Sequence, residues 1–149
     1  MKLKKIFCFI LLLNISIYNC LTQNISGIWE TYDGKGKRTG EIELYLQHDS
    51  LFGKITRAFL PDGTEVPDIT CDGCIGERDG QKVVGMIVIN GLKYNPKKDE
   101  YYGEKACFAP QKNLIANGKV WLDKNNKDIL YLRGYLGPFY ETQTWKRLK

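Results

Sequence analysis

Four residues near the middle of the chain, Cys71-Asp72-Gly73-Cys74, have the spacing that most suggests chemistry. Two cysteines separated by two residues can close a disulfide ring, run thiol–disulfide exchange, or supply half of a zinc site. Exchange normally sets the thiolate at a helix N-terminus, which lowers its pKa. Gly73, Gly76 and Gly80 argue against a helix here. A structural zinc site wants four ligands, commonly as two pairs. The chain has no second C-x-x-C and only one histidine, His48, so no metal site is assigned. The nearby acids Asp62, Glu65, Asp68, Asp72, Glu77 and Asp79 do not follow the EF-hand spacing, which reads as a solvated acidic loop rather than a calcium site. The leading reading is a Cys71–Cys74 disulfide that pins the loop. Pairing of either cysteine with the third one, Cys107, is the alternative, and a redox or metal role for the pair is the sharper one.

Nucleophilic catalysis finds little material. Beyond residue 22 the only serines are Ser26 and Ser50, and one histidine cannot easily complete a Ser-His-Asp triad. A Cys107–His48 pair is the remaining candidate nucleophile and base. There is no glycine-rich phosphate loop, and Asn90-Gly91 reads as a turn. No catalytic residue and no cofactor are therefore assigned, and a non-catalytic role is favoured.

The chain begins Met1-Lys-Leu-Lys-Lys5, followed by a mainly apolar run from Ile6 to Tyr18. A basic stretch and a short apolar core are the pattern of an export signal. The run falls short of the ~20 apolar residues of a membrane-spanning helix. The expected division is a signal peptide over residues 1–22 and one domain over 23–149. Cleavage near Thr22–Asn24 would free the protein into the periplasm or medium. Processing at Cys20, which follows Asn19 rather than the usual small residue, would instead leave a lipidated envelope protein, and only then a membrane partner. Loss of Lys2, Lys4 and Lys5, with no acid among the removed residues, takes the formal charge from +5 to +2. A nucleic-acid partner then lacks the basic stripe it would need.

These residues must be positioned by strands. Glu41-Ile-Glu-Leu-Tyr-Leu-Gln47 alternates apolar and polar residues, the period of a half-buried strand. His48-Asp49-Ser50 is turn chemistry, and Leu51–Phe59 reads as the returning strand. Residues 61–80 crowd breakers together and predict a long loop, which in a compact domain is either functional or pinned. Strands are expected at Ile28–Tyr32, Val83–Asn90, Tyr101–Phe108, Leu114–Leu122, Ile129–Leu136 and Tyr140–Leu148. The count of eight suggests an all-β, up-and-down barrel or sandwich.

Gly27-Ile28-Trp29 opens the domain. The tryptophan is either an ordinary core aromatic or a plug for one barrel end. Lipocalin-like (calycin) barrels open with a similar Gly-x-Trp, in which an arginine near the last strand packs across the ring; Arg133 or Arg147 would take that part here. Taken with Cys71-x-x-Cys74-x-Gly76, Gly85-Met-Ile-Val-Ile-Asn-Gly-Leu92, Arg133-Gly-Tyr135-x-Gly137 and Thr142-Gln-Thr-Trp-Lys-Arg147, the chain resembles the secreted bacterial family called domain of unknown function 2147, over about residues 27–147. The resemblance implies a small exported lipocalin-like barrel without an established activity. The chain departs from the family pattern at Ala109-Pro110, where an Asp-Pro is usual, and at Tyr140-Glu141, where a glycine turn is common.

The expected function is non-catalytic binding of a small apolar or amphipathic molecule in the cell envelope. Trp121, Tyr131 and Tyr135 are the candidate pocket wall. A thiol or metal role at the C-x-x-C loop and a structural or interaction module of the envelope are the alternatives. Oligomeric state is not legible.

Overall fold

The computed structural model describes residues 24–149; the expected signal segment, its cleavage point and Cys20 lie outside the described residues. Eight antiparallel strands follow in chain order: β1 (Gly27–Tyr32), β2 (Arg38–Gln47), β3 (Ser50–Ala58), β4 (Ile87–Asn95), β5 (Glu100–Ala109), β6 (Leu114–Leu122), β7 (Ile129–Leu136) and β8 (Phe139–Arg147). Each pairs with its chain neighbour, and β8 returns to β1 to close the barrel. The closing seam is short, with register partners Trp29↔Arg147 and Glu30↔Lys146. The all-β, up-and-down barrel expected from the alternation is the observed fold.

The local chemistry explains most boundaries. His48 and Asp49 both adopt left-handed backbone, φ 48° and 59°, between the paired residues Gln47 and Ser50. Two consecutive left-handed residues make the tight hairpin turn whose twist matches that of the strands. Strand β4 starts at Ile87 rather than Val83, because the Val83 amide is spent on the Ile69 carbonyl inside the preceding loop. It also runs through the expected Asn90-Gly91 turn. Gly91, at φ 77°, sits at a register shift between β3 and β4. A bulge needs the same left-handed residue as a turn, and here the chain continues straight on to Asn95.

Inward positions fill the barrel. Trp29, Leu44, Leu51, Ile89, Leu92, Tyr101, Val120, Leu130 and Trp145 are all almost completely buried. A glycine on the inner face lets the side chains of the two neighbouring strands close over β3. A Cβ at Gly53 would stand 3.0 Å from both Ile89 and Leu44. One end of the barrel is sealed. The Trp29 indole donates to the Ile25 carbonyl at 2.9 Å, and the Arg147 guanidinium carbon lies 4.2 Å from the Trp29 ring centroid. Arg147 also donates to the carbonyls of Ser26 and Asn24 and pairs with Asp128.

Candidate functional site

Up-and-down topology sends the β1–β2, β3–β4, β5–β6 and β7–β8 connections to one end, opposite the Trp29 seal. The β3–β4 connection, residues 59–86, is the long loop read from the breakers. It is folded into two small hairpins. Phe59 bridges Glu65, and Thr70 bridges Lys82. Cys71 donates its amide to the Gln81 carbonyl at 2.8 Å. Cys71 and Cys74 lie side by side, Cα atoms 5.6 Å apart with their sulfurs joined, and both are buried. The loop is also tied across the mouth. Asn113, from the β5–β6 connection, accepts the Ile75 amide at 2.8 Å and donates to the Gly73 carbonyl at 2.9 Å.

This arrangement leaves a cavity of about 350 Å3 at the mouth. Phe59, Val66, Ile69, Val83 and Pro110 supply an apolar lining, with the Cys71–Cys74 pair beside them. Asp33, Lys37, Arg38 and Thr39, from the β1–β2 side, supply polar groups. An apolar pocket with a few convergent polar groups suits a small amphipathic molecule.

A charge network anchors the cavity wall. Glu41, expected on a solvent face, does point outward but is only 3% exposed. Arg38 and Arg57 both pair with its carboxylate. The two guanidiniums also lie over the Phe59 ring, at 4.4 and 4.9 Å from its centroid. Arg57 reaches on to Glu65 with two hydrogen bonds, at 2.9 and 2.6 Å, and Arg38 pairs with Glu30 at 3.2 Å. A buried carboxylate is tolerated here because both cations and their fork geometry compensate it.

The mouth loops also carry carboxyls held below their ordinary range. The backbone amide of Lys37 does this for Asp33, that of Thr64 for Asp62, the Arg57 guanidinium for Glu65 and the Lys82 ammonium for Asp68. A carboxyl with a depressed folded pKa stabilises above its unfolded value and loses that contribution as pH falls through the folded one. Acidification below the usual carboxylate range should therefore loosen this end more than the sealed end, where, among the described residues, Asp123 is the one carboxyl held down in the same way. Amide exchange across residues 59–83, corrected for intrinsic rates, should rise in acid before that of β6 and β7. Uniform loosening of the barrel would contradict this reading.

The expected site residues scatter. Trp121, Tyr131 and Tyr135 do not line the mouth or the interior. Val120, Leu122 and Leu130 take the inner positions of β6 and β7, so their neighbours face outward. Trp121 and Tyr131 pack on each other, centroids 5.4 Å apart, and Tyr135 packs on Tyr140 at 6.0 Å. Arg133 lies outside too, over Trp121 and Tyr140, and is not the arginine on Trp29; Arg147 is. Cys107 is a free buried thiol, pushed up to about 12 by desolvation. It neither joins Cys71 or Cys74 nor meets His48, which sits on the exposed β2–β3 turn at the sealed end. Among the described residues no three His, Cys, Asp or Glu side chains gather as a metal site. The residues missed from sequence are the mouth lining, Phe59, Val66, Ile69 and Val83. Their signal was the apolar side chains spaced through an otherwise breaker-rich loop.

A family model described as an uncharacterized protein conserved in bacteria, with a domain of unknown function numbered 2147, matches residues 27–147. No curated protein matches at a significant level. Among solved structures, the chain is similar to protein HP1028 from the human pathogen Helicobacter pylori, described as belonging to the lipocalin family. The TM-score is 0.66 at 18% identity, covering 84% of this chain and 83% of that one, a likeness of fold.

Proposed function

We propose, from the premise that this chain belongs to the domain of unknown function 2147 family of proteins conserved in bacteria, that it binds one small apolar or amphipathic molecule at the mouth of its barrel without transforming it. The mouth cavity of about 350 Å3 is the observation that carries the reading. The barrel interior below it is filled by side chains, so the ligand sits under the disulfide-pinned loop rather than deep in the barrel. In this reading the protein acts after export, free in the periplasm or medium, or held at a membrane if Cys20 is acylated.

Anilinonaphthalene sulfonate and laurate are suitable probes, one fluorescent and one competing. Val66→Trp, which fills the cavity from a partly buried loop position, should weaken both at least tenfold, a loss of about 1.4 kcal/mol or more, with little change in melting temperature. Unchanged probe binding in that variant, or no probe binding to the parent protein, would exclude the mouth as the site. Intact mass of protein from its native compartment addresses export separately: a chain still starting at Met1 would contradict it, and an acyl mass on Cys20 would establish anchoring. The Cys71–Cys74 pair borders the cavity, which favours a thiol role as the second reading. A pair that stays oxidised in mild reductant would reduce it to a staple.

A further inference from the structure

The outer wall carries a second recess, at the sealed end and away from the mouth. It lies between the β4–β5 and β6–β7 turns, holds about 300 Å3, and has Trp121 and Tyr131 as its aromatic wall. Two cations hold the indole in place. The Lys119 ammonium and Arg133 guanidinium sit 5.0 and 5.4 Å from the Trp121 ring centroid. Lys119 is itself paired with Glu100 at 3.1 Å, and Arg133 Nε donates to Thr142 Oγ1 at 2.7 Å. A platform whose supports are fixed loses little freedom when a ligand lands on it.

The rim is polar and balanced. The Tyr131 hydroxyl donates to Asp123 at 3.2 Å, and the Asp123 carboxylate also accepts the amides of Asn125 and Asn126 at 2.8 and 2.9 Å. Those amides hold the Asp123 carboxyl below its usual range, and the bond to Asp123 raises Tyr131. Near neutrality the first is an acceptor and the second a neutral phenol. Lys98 and Lys124 offset Asp99 and Asp123 in the lining, and Glu100 offsets Lys119, which leaves Arg133, bonded to the Thr142 hydroxyl, as the source of a small positive excess beside the recess. A neutral polyhydroxyl compound finds both donors and acceptors there, and the negative face of an aromatic ring favours the C–H face of a sugar.

We propose that this recess binds a neutral saccharide, stacked by its C–H face on Trp121 with hydroxyls directed to Asp99, Asp123 and Asn125. Free oligosaccharides and the exposed ends of glycan polymers present the same chemistry. Trp29 and Trp145 are 0% and 1% exposed, so the partly exposed Trp121 dominates any ligand-induced change in emission. The protein should be titrated with maltotriose, cellotriose and chitotriose at millimolar concentrations, with a sulfated heparin fragment as the charged probe. At least one neutral sugar should shift the emission and bind at least tenfold better than the sulfated fragment. By calorimetry, Trp121→Ala should abolish binding, Trp121→Tyr should restore most of it, and Asp99→Asn should weaken it severalfold, while Val66→Trp at the mouth should not affect it. Co-sedimentation with insoluble chitin or cellulose would identify a polymer end as the source, and binding of trisaccharides alone a free sugar. No response to any neutral sugar, equal binding of the sulfated fragment, or unchanged binding in the folded Trp121→Ala protein would overturn the proposal.

Discussion

The Trp29→Ala variant is expected to lose about 3–5 kcal/mol of folding stability, the range for deleting a large buried aromatic. Domains of this kind have roughly 5–15 kcal/mol in all, so the loss should be visible in any denaturant titration. The indole is fully buried, spends its N–H on the Ile25 carbonyl, and forms the surface on which Arg147 rests. Its removal leaves a cavity at the sealed end and strips Arg147 of its ring. The effect should spread to the seam, because Trp29↔Arg147 is one of the two register pairs that close β1 on β8. Trp29→Phe should lose clearly less. Arg147→Lys, which keeps the charge but not the fork that reaches two carbonyls, should cost about 1–2 kcal/mol. If urea unfolding placed Trp29→Ala within about 1 kcal/mol of the parent, below the usual cost of such truncations, the seal would not be what holds the barrel closed.

Gly118→Ala should be of similar size for the opposite reason. A Cβ at Gly118 would stand 2.0 Å from the Cys107 sulfur and 3.2 Å from its Cβ. Overpacking of a core usually costs about 1–3 kcal/mol, occasionally more. The upper end is expected, because the sulfur cannot retreat without moving the paired walls of β5 and β6. Cys107→Ala alone should cost little beyond a small cavity, and Cys107→Ala with Gly118→Ala should recover most of the loss. That recovery is a coupling of more than about 1 kcal/mol between touching residues. Strict additivity in the double-mutant cycle would mean that the clash is not the cause. The cycle also tests the place of Cys107, a thiol kept protonated by desolvation and facing a wall rather than a substrate.

Much of this was legible in residue order. Ile42 and Leu44 alternate with Glu43 along β2, and period two permits only a strand with one covered face. The breakers between Pro61 and Gly80 foretold a long connection, and the short C-x-x-C spacing allowed its two cysteines to meet. Trp121 shares its parity with Asn117, Lys119 and Asp123, so alternation itself favours Val120 as the inward residue, and the pocket-wall reading followed the aromatic side chain instead. The closed barrel agrees with the parity: the interior takes Val120, Leu122 and Leu130, and Trp121 and Tyr131 are left outside. The Asn90-Gly91 turn failed because a left-handed residue serves a bulge as well as a turn. Arg133 and Arg147 were equivalent candidates until the β8–β1 seam set Arg147 opposite Trp29.

The candidate site was least legible of all. Phe59, Arg38, Arg57 and Glu65 come from separate segments, and nothing local links them. Glu41 reads as a solvent residue on its own strand, and only two arginines from elsewhere make its burial tolerable.

Strand periodicity and turn chemistry are local properties, carried by backbone sterics and neighbouring side chains, so the number of strands and the long loop follow from residue order alone, whereas the pairing of Cys71 with Cys74 rather than Cys107 is seen only in the folded chain. Which face of each strand turns inward, which arginine covers Trp29, where the cavity opens and which charges share it depend on contacts between residues far apart in the chain. Those contacts exist only once the barrel has closed, because closure fixes a single inside, with a limited volume, that every strand must share.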